Sequence, residues 1–284
     1  MTLYREQAVL FECGLNRLFG IVATPEAATD VGVLILVGGP QYRVGSHRQF
    51  TLLARSLAEA GIASLRFDFT GMGDSEGPKR EFDSTEEDIF AAIDALFRSV
   101  PTMTRVVLWG LCDAASSAMM FGNRDPRVAG MILLNPWVHN GEYSPQVKLA
   151  HYYRPAFSRK EQWRRLFSGK IRLAPAFKEL ARDALALIRR PSITLIRRPS
   201  GRSYIEEMLY GLQRFRHDVL IVLSDADLTA REFSTLTAHD SQWHAAISSP
   251  AISVHTIIGA DHTFSEKRWK DEVSRLTIDW VLNQ

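Results

Sequence analysis

A chain of 284 residues, 46% of them hydrophobic, has enough material for one large α/β domain or a domain with an insertion. Its two cysteines, Cys13 and Cys112, exclude a disulfide scaffold, and no apolar run reaches the roughly 18 residues of a membrane span. The formal net charge of +2 is uneven: residues 137–218 hold 17 Lys/Arg against 7 Asp/Glu, a basic block on an otherwise acidic chain. No secretory leader pattern opens the sequence, so a reducing cytoplasm is the expected compartment.

Ala8–Glu12 and Arg17–Thr24 predict two strands joined at Gly14-Leu15-Asn16, a hairpin at a sheet edge. Val31–Val37 is a Val/Ile/Leu run suited to a strand buried on both faces. Gly38-Gly39-Pro40 ends it. His47–Ala60 carries apolar residues at helical spacing and stops at Gly61. Ile62–Phe67 is the next strand. Ser84, with Glu87 three residues on, predicts a capping box for a helix to about Arg98. A strand at Val106–Trp109, an Ala-rich helix and a strand at Val128–Leu134 follow. This alternation predicts a mostly parallel sheet with right-handed crossovers.

The alternation breaks at Asn135-Pro136-Trp137 and resumes at Val219–Leu223. A helix, a strand at Ile252–Ile257 and a closing helix over Glu266–Leu282 complete the chain. Residues 1–136 and 219–284 therefore read as the core, and 137–218 as a basic, mainly helical cap inserted at the carboxyl edge of the sheet. Open α/β sheets bind ligands at that edge. Within the cap, Arg189-Arg190-Pro191-Ser192 and Arg197-Arg198-Pro199-Ser200 read as helix-breaking surface turns, or as a repeated anion clamp or phosphorylation site.

The chemistry centres on Gly110-Leu111-Cys112-Asp113-Ala114, between a buried strand and a helix. The pattern is that of a nucleophile elbow, with Cys in place of Ser and Ala at the last small position. Small residues are needed because the sharp turn brings backbone close to neighbouring strands. The turn sets Cys112 over a helix N-terminus, which is expected to favour the thiolate and to offer the Asp113 N–H to an oxyanion. A buried structural cysteine is the plainer alternative.

A nucleophile of this kind needs a base and an orienting carboxylate. In the order nucleophile, acid, His, the base is His262, in the loop after the last strand. The loop after Val219–Leu223 offers two carboxylates, Asp225 and Asp227. Asp227 is the favoured orienting group, and the other would be a turn or N-cap residue. Gly39, in Val37-Gly38-Gly39-Pro40, is expected to give the second oxyanion N–H, since Pro40 has none. The Gly71-Met72-Gly73 run lacks the spacing and Lys of a P-loop and reads as a turn shaping the pocket rim.

These residues resemble the α/β-hydrolase superfamily over nearly the whole chain. More narrowly, five motifs are similar to the type-1 hydrolases associated with the exosortase A system of Gram-negative exopolysaccharide producers. They are Gly38–Arg48, Arg66–Ser75, Trp109–Ala115, Leu134–Trp137 and Ala260–Phe264. Asp225 departs from the pattern, standing where the family carries Gly. The resemblance implies an α/β-hydrolase fold with an eight-stranded sheet, a Cys-His-Asp triad and no metal or organic cofactor. Gln41 and Trp137, within the motifs, and His139, at the start of the cap, are expected to touch substrate. The expected reaction is ester or thioester hydrolysis through an acyl-cysteine. Acyl transfer to an amine, hydroxyl or thiol remains open beside it, and a non-catalytic binding platform is the third reading. The expected partner is a small acyl substrate, carried on coenzyme A or a carrier protein, with no nucleic acid.

Overall fold

The computed structural model describes residues 3–139 and 201–284. One compact unit comprises residues 1–138 and 203–284, and a second comprises 139–202. The first unit is built on an eight-stranded sheet: β1 (Tyr4–Cys13), β2 (Asn16–Pro25), β3 (Val31–Leu36), β4 (Ser64–Phe67), β5 (Arg105–Leu111), β6 (Val128–Leu134), β7 (Val219–Ser224) and β8 (Ile252–Ile257). Their spatial order is β1-β2-β4-β3-β5-β6-β7-β8. β1 and β2 form the antiparallel edge, β2 joins β4 antiparallel, and every other pair is parallel.

The central strands are apolar on both faces because helices cover both. Every residue of β3, β4, β6 and β7 is buried. Alternate residues serve opposite cores, as the strand pleat requires. Leu34, Leu108, Met131 and Ile221 pack with α2 (Glu86–Ser99) and α3 (Asp113–Phe121). Val33, Trp109, Ile132 and Val222 pack with α1 (Gln49–Glu59) and the closing helix. Trp109 also donates its indole N–H to Thr277 Oγ1 at 3.2 Å, a buried polar link between β5 and that helix. β8 lies at the sheet edge and is only partly covered, which leaves Val254 exposed.

Two local readings change. Ser84 does not cap α2. It ends a 3-10 turn over Phe82–Ser84 and its hydroxyl bonds Asp83, while Glu87 pairs with Arg80. Thr85 is the N-cap and its side chain caps nothing, because Thr85 Oγ1 donates to Phe82 O. A true capping box lies further on. Ser203 and Glu206 exchange side-chain-to-backbone bonds at the start of α4 (Tyr204–Arg214). The apolar face of α4, Met208, Leu209 and Leu212, joins the α3-side core, and Gly211 packs against the Met119 carbonyl. Residues 203–218 thus lie in the first unit, where that face has α3 to bury against. The remaining helices among the described residues are α5 (Leu228–His239), α6 (Ser241–Ile247) and α7 (Lys267–Leu282), which closes the chain. The Arg164, Arg165, Arg189, Arg190, Arg197 and Arg198 pairs lie outside the described residues.

Candidate active site

The ends of β3, β5, β6, β7 and β8 meet at the carboxyl edge of the sheet. β5 runs to Leu111 and α3 starts at Asp113, so Cys112 alone makes the turn, at φ 63°, ψ −124°. A non-glycine residue there carries strain of about 1–3 kcal/mol, which the surroundings must hold in place. They do so by hydrogen bonds. The Cys112 N–H donates to Leu134 O at 2.9 Å, and its carbonyl accepts from Ser116 and Trp137. Ser116 Oγ bonds the Trp137 backbone in both directions, so the exit from β6 is laced to the elbow. A Cβ on Gly110 would stand 2.7 Å from the Ala114 backbone, so the position before the turn cannot carry a side chain, whereas Ala114 is accommodated at the position after it.

His262 and Asp227 come from neighbouring loops. His262 Nδ1 lies 2.9 Å from Asp227 Oδ2, and the Asp227 carboxylate is buried. Asp227 also caps α5, accepting the Ala230 N–H at 3.1 Å. Asp225 does something else. Its Oδ1 accepts the Gly259 N–H at 2.6 Å and joins the β7 and β8 exits. Asp261 bonds the N–H and hydroxyl of Ser265, within its own loop. Of the three carboxylates, then, Asp227 is the one bonded to the imidazole. Burial pushes the Asp227 carboxyl up, but the His262 bond and charge, with the Ala230 and Thr229 N–H groups, outweigh burial and bring it below its usual value.

The thiol departs from expectation. Burial, then the Asp113 and Asp227 charges, push Cys112 well above the ordinary thiol range, and the Asp113 backbone N–H only partly opposes them. A helix N-terminus favours an anion, but here two carboxylates and desolvation outweigh it.

The expected oxyanion donors are placed as follows. Asp113 opens α3 directly after Cys112. The Gly39 N–H is engaged by the Asp113 side chain, with Oδ1 at 2.6 Å. Burial raises the Asp113 carboxyl, against the N–H groups of Gly39 and Ala114 and the His262 charge. Among the expected substrate contacts, Gln41 accepts the Ser46 N–H and hydroxyl at Oε1, at 2.8 and 3.2 Å, so that oxygen serves its own loop. Trp137 is partly buried beside the elbow, with its backbone tied to Ser116. His139 belongs to the second unit, not to the unit that carries Cys112. The Gly71–Gly73 turn is pinned by Asp68, which accepts the Asp74 N–H and pairs with Arg43.

Two further residues had not been singled out. Asn135, buried at φ 43°, donates Nδ2 to Ser224 Oγ at 2.6 Å and to His262 O at 3.2 Å, and accepts the Ser224 N–H at Oδ1. It binds the ends of β6 and β7 to the His262 loop. A polar residue before proline, at the end of an all-apolar strand, is the signal that could have found it. Tyr204 lies at the start of α4; burial chiefly, then the Glu232 charge, raises its hydroxyl. No sequence motif marks it. Among the described residues no cluster of three or more His, Cys, Asp or Glu could hold a metal, and no helix is long and apolar enough to cross a membrane.

This sheet order, with a turn residue at positive φ after β5 and a His–Asp pair on later strand ends, defines the α/β-hydrolase architecture. Residues 33–276 match the model of the alpha/beta hydrolase family, and the chain belongs to it. A search of curated proteins returns no match. Among solved structures, the chain is similar to an esterase of Pyrococcus furiosus at 17% identity and TM-score 0.62, over 98% of this chain and 92% of that one. A dienelactone hydrolase of Anabaena variabilis is similar at 15% identity and TM-score 0.61, over 99% and 98%. An alpha-beta serine hydrolase homologue from Coxiella burnetii is similar at 17% identity and TM-score 0.57, over 98% and 97%. At these identities the likeness is one of fold.

Proposed function

We propose that the chain is a cysteine hydrolase that cleaves an ester or thioester through an acyl-Cys112 intermediate. The observation that carries this reading is Cys112 held at φ 63° on the β5–α3 turn, with a bonded His262–Asp227 pair on the loops after β7 and β8. Asp227 accepts from Nδ1–H of His262, which leaves Nε2 as the basic nitrogen. Nε2 takes the Cys112 proton as Sγ bonds the acyl carbon. A thiol pushed above its ordinary range calls for this base assistance. The oxyanion collects on the Asp113 and Gly39 N–H groups. His262 then returns the proton to the leaving oxygen or sulfur. Water, deprotonated by Nε2, attacks the acyl-cysteine and restores the thiol. An amine, hydroxyl or thiol in place of water gives transfer by the same route.

The five motifs support a place among the type-1 hydrolases associated with the exosortase A system. The basic insertion supports an anionic carrier of the acyl group, such as coenzyme A or a carrier protein. The test is intact-mass detection of a single acyl adduct on Cys112 after exposure to p-nitrophenyl acetate and to acyl thioesters. The expected adduct is absent from Cys112→Ala, which also loses turnover. Normal turnover in Cys112→Ala would end the reading.

A further inference from the structure

The Asp113 carboxylate is an unusual neighbour for a nucleophile. It is half-buried, it follows Cys112 directly, and its Oδ1 lies 2.6 Å from the Gly39 nitrogen. Among the described residues, the groups that favour its charged form are the Gly39 and Ala114 N–H groups and the His262 charge. These N–H groups come from the loop after β3 and from the first turn of α3. Those are the two elements from which an elbow enzyme draws its oxyanion donors. Gly38 makes the fit possible: a Cβ there would stand 2.6 Å from Asp113 Oδ1 and 2.2 Å from Leu111 O.

We propose that the Asp113 side chain is the resident occupant of the oxyanion site and thereby a specificity-determining residue. A reacting carbonyl must displace the carboxylate from the Gly39 N–H before that donor can stabilise charge. Binding energy from remote parts of a substrate supports such a displacement, whereas a small acyl group has none to contribute. The site therefore selects large acyl substrates against small, activated esters. This rests on the acyl-Cys112 reading above.

The test compares two reactions of the same thiol. In acylation by p-nitrophenyl acetate, Sγ bonds the acetyl carbon, the thiol proton passes to His262 and p-nitrophenolate leaves with the C–O bond pair. This needs the oxyanion site. Alkylation by iodoacetamide, which displaces iodide, does not. Removing the Asp113 charge also eases thiol ionisation, which speeds both reactions, so the ratio of acylation to alkylation rates is the readout. An oxyanion donor is worth about 10²–10³ in rate, so Asp113→Ala should raise that ratio at least about tenfold. Asp113→Asn keeps the shape but removes the charge, and should give a smaller rise. It carries the test if the alanine variant does not fold. An unchanged or lower ratio in the folded variants overturns the proposal. Acylation that persists undiminished in Cys112→Ala instead overturns the acyl-cysteine reading.

Discussion

At the residue scale, the two carboxylates of the β7 exit differ by one contact. Asp227 holds the His262 ring, and Asp225 holds a backbone N–H. Asp227→Asn leaves the shape intact but favours the wrong imidazole tautomer, and its kcat/KM should fall by about 10²–10⁴-fold. Asp225→Asn keeps an acceptor for Gly259 and should stay close to the parent. Steady-state kinetics on one ester decide between them, and equal losses would remove Asp227 from its role. The direction of the Cys112 shift gives a second expectation. A thiol raised above its ordinary value stays protonated through neutral pH, so iodoacetamide should label Cys112 slowly at pH 7. The rate should climb only above the ordinary thiol range. Cys13 does not confuse the measurement, since burial and Asp88 hold its thiol up to about 12. Fast labelling at pH 7 would show that the His262 charge outweighs burial.

At the scale of elements, the site depends on strand ends being tied together rather than on any one loop. Asn135 is the tie between β6, β7 and the His262 loop. Asn135→Ala leaves the Ser224 N–H and hydroxyl and the His262 carbonyl without their bonds in a buried place. The expected cost is about 1–3 kcal/mol, read as a lower midpoint in urea unfolding. A looser His262 should also lower kcat more than it raises KM. A variant as stable and as active as the parent would make Asn135 a passive filler. The same scale explains the relocation of α4. A helix that follows a basic block reads as part of the insertion until its apolar face, Met208 with Leu209 and Leu212, is seen to have a partner in α3.

At the scale of the whole molecule, the charge is segregated along the chain, and the prediction concerns encounter rather than chemistry. If the basic block gathers an anionic acyl carrier, salt should lower kcat/KM for a charged thioester. A neutral thioester of the same acyl group should be unaffected, since the screening length is about 10 Å at 0.1 M. Neutralising the Arg189–Arg190 and Arg197–Arg198 pairs should erase the difference. Equal salt responses for the two substrates would leave the block as a solvated surface.

The sheet is legible in the chain, because runs such as Val31–Leu36 and Val128–Leu134 carry no polar side chain and suit a strand buried on both faces. So is the turn at Cys112, because Gly110 is required where backbone passes within contact distance of backbone. Relations between residues far apart in the chain emerge only once the strands are brought together. Asp227 rather than Asp225 meets His262, Asn135 meets the His262 loop, and the Asp113 carboxylate meets Gly39. The ionisation of Cys112 was likewise beyond sequence reading. A helix N-terminus is visible in a motif, but the desolvation and the Asp113 and Asp227 charges that oppose it depend on the folded surroundings.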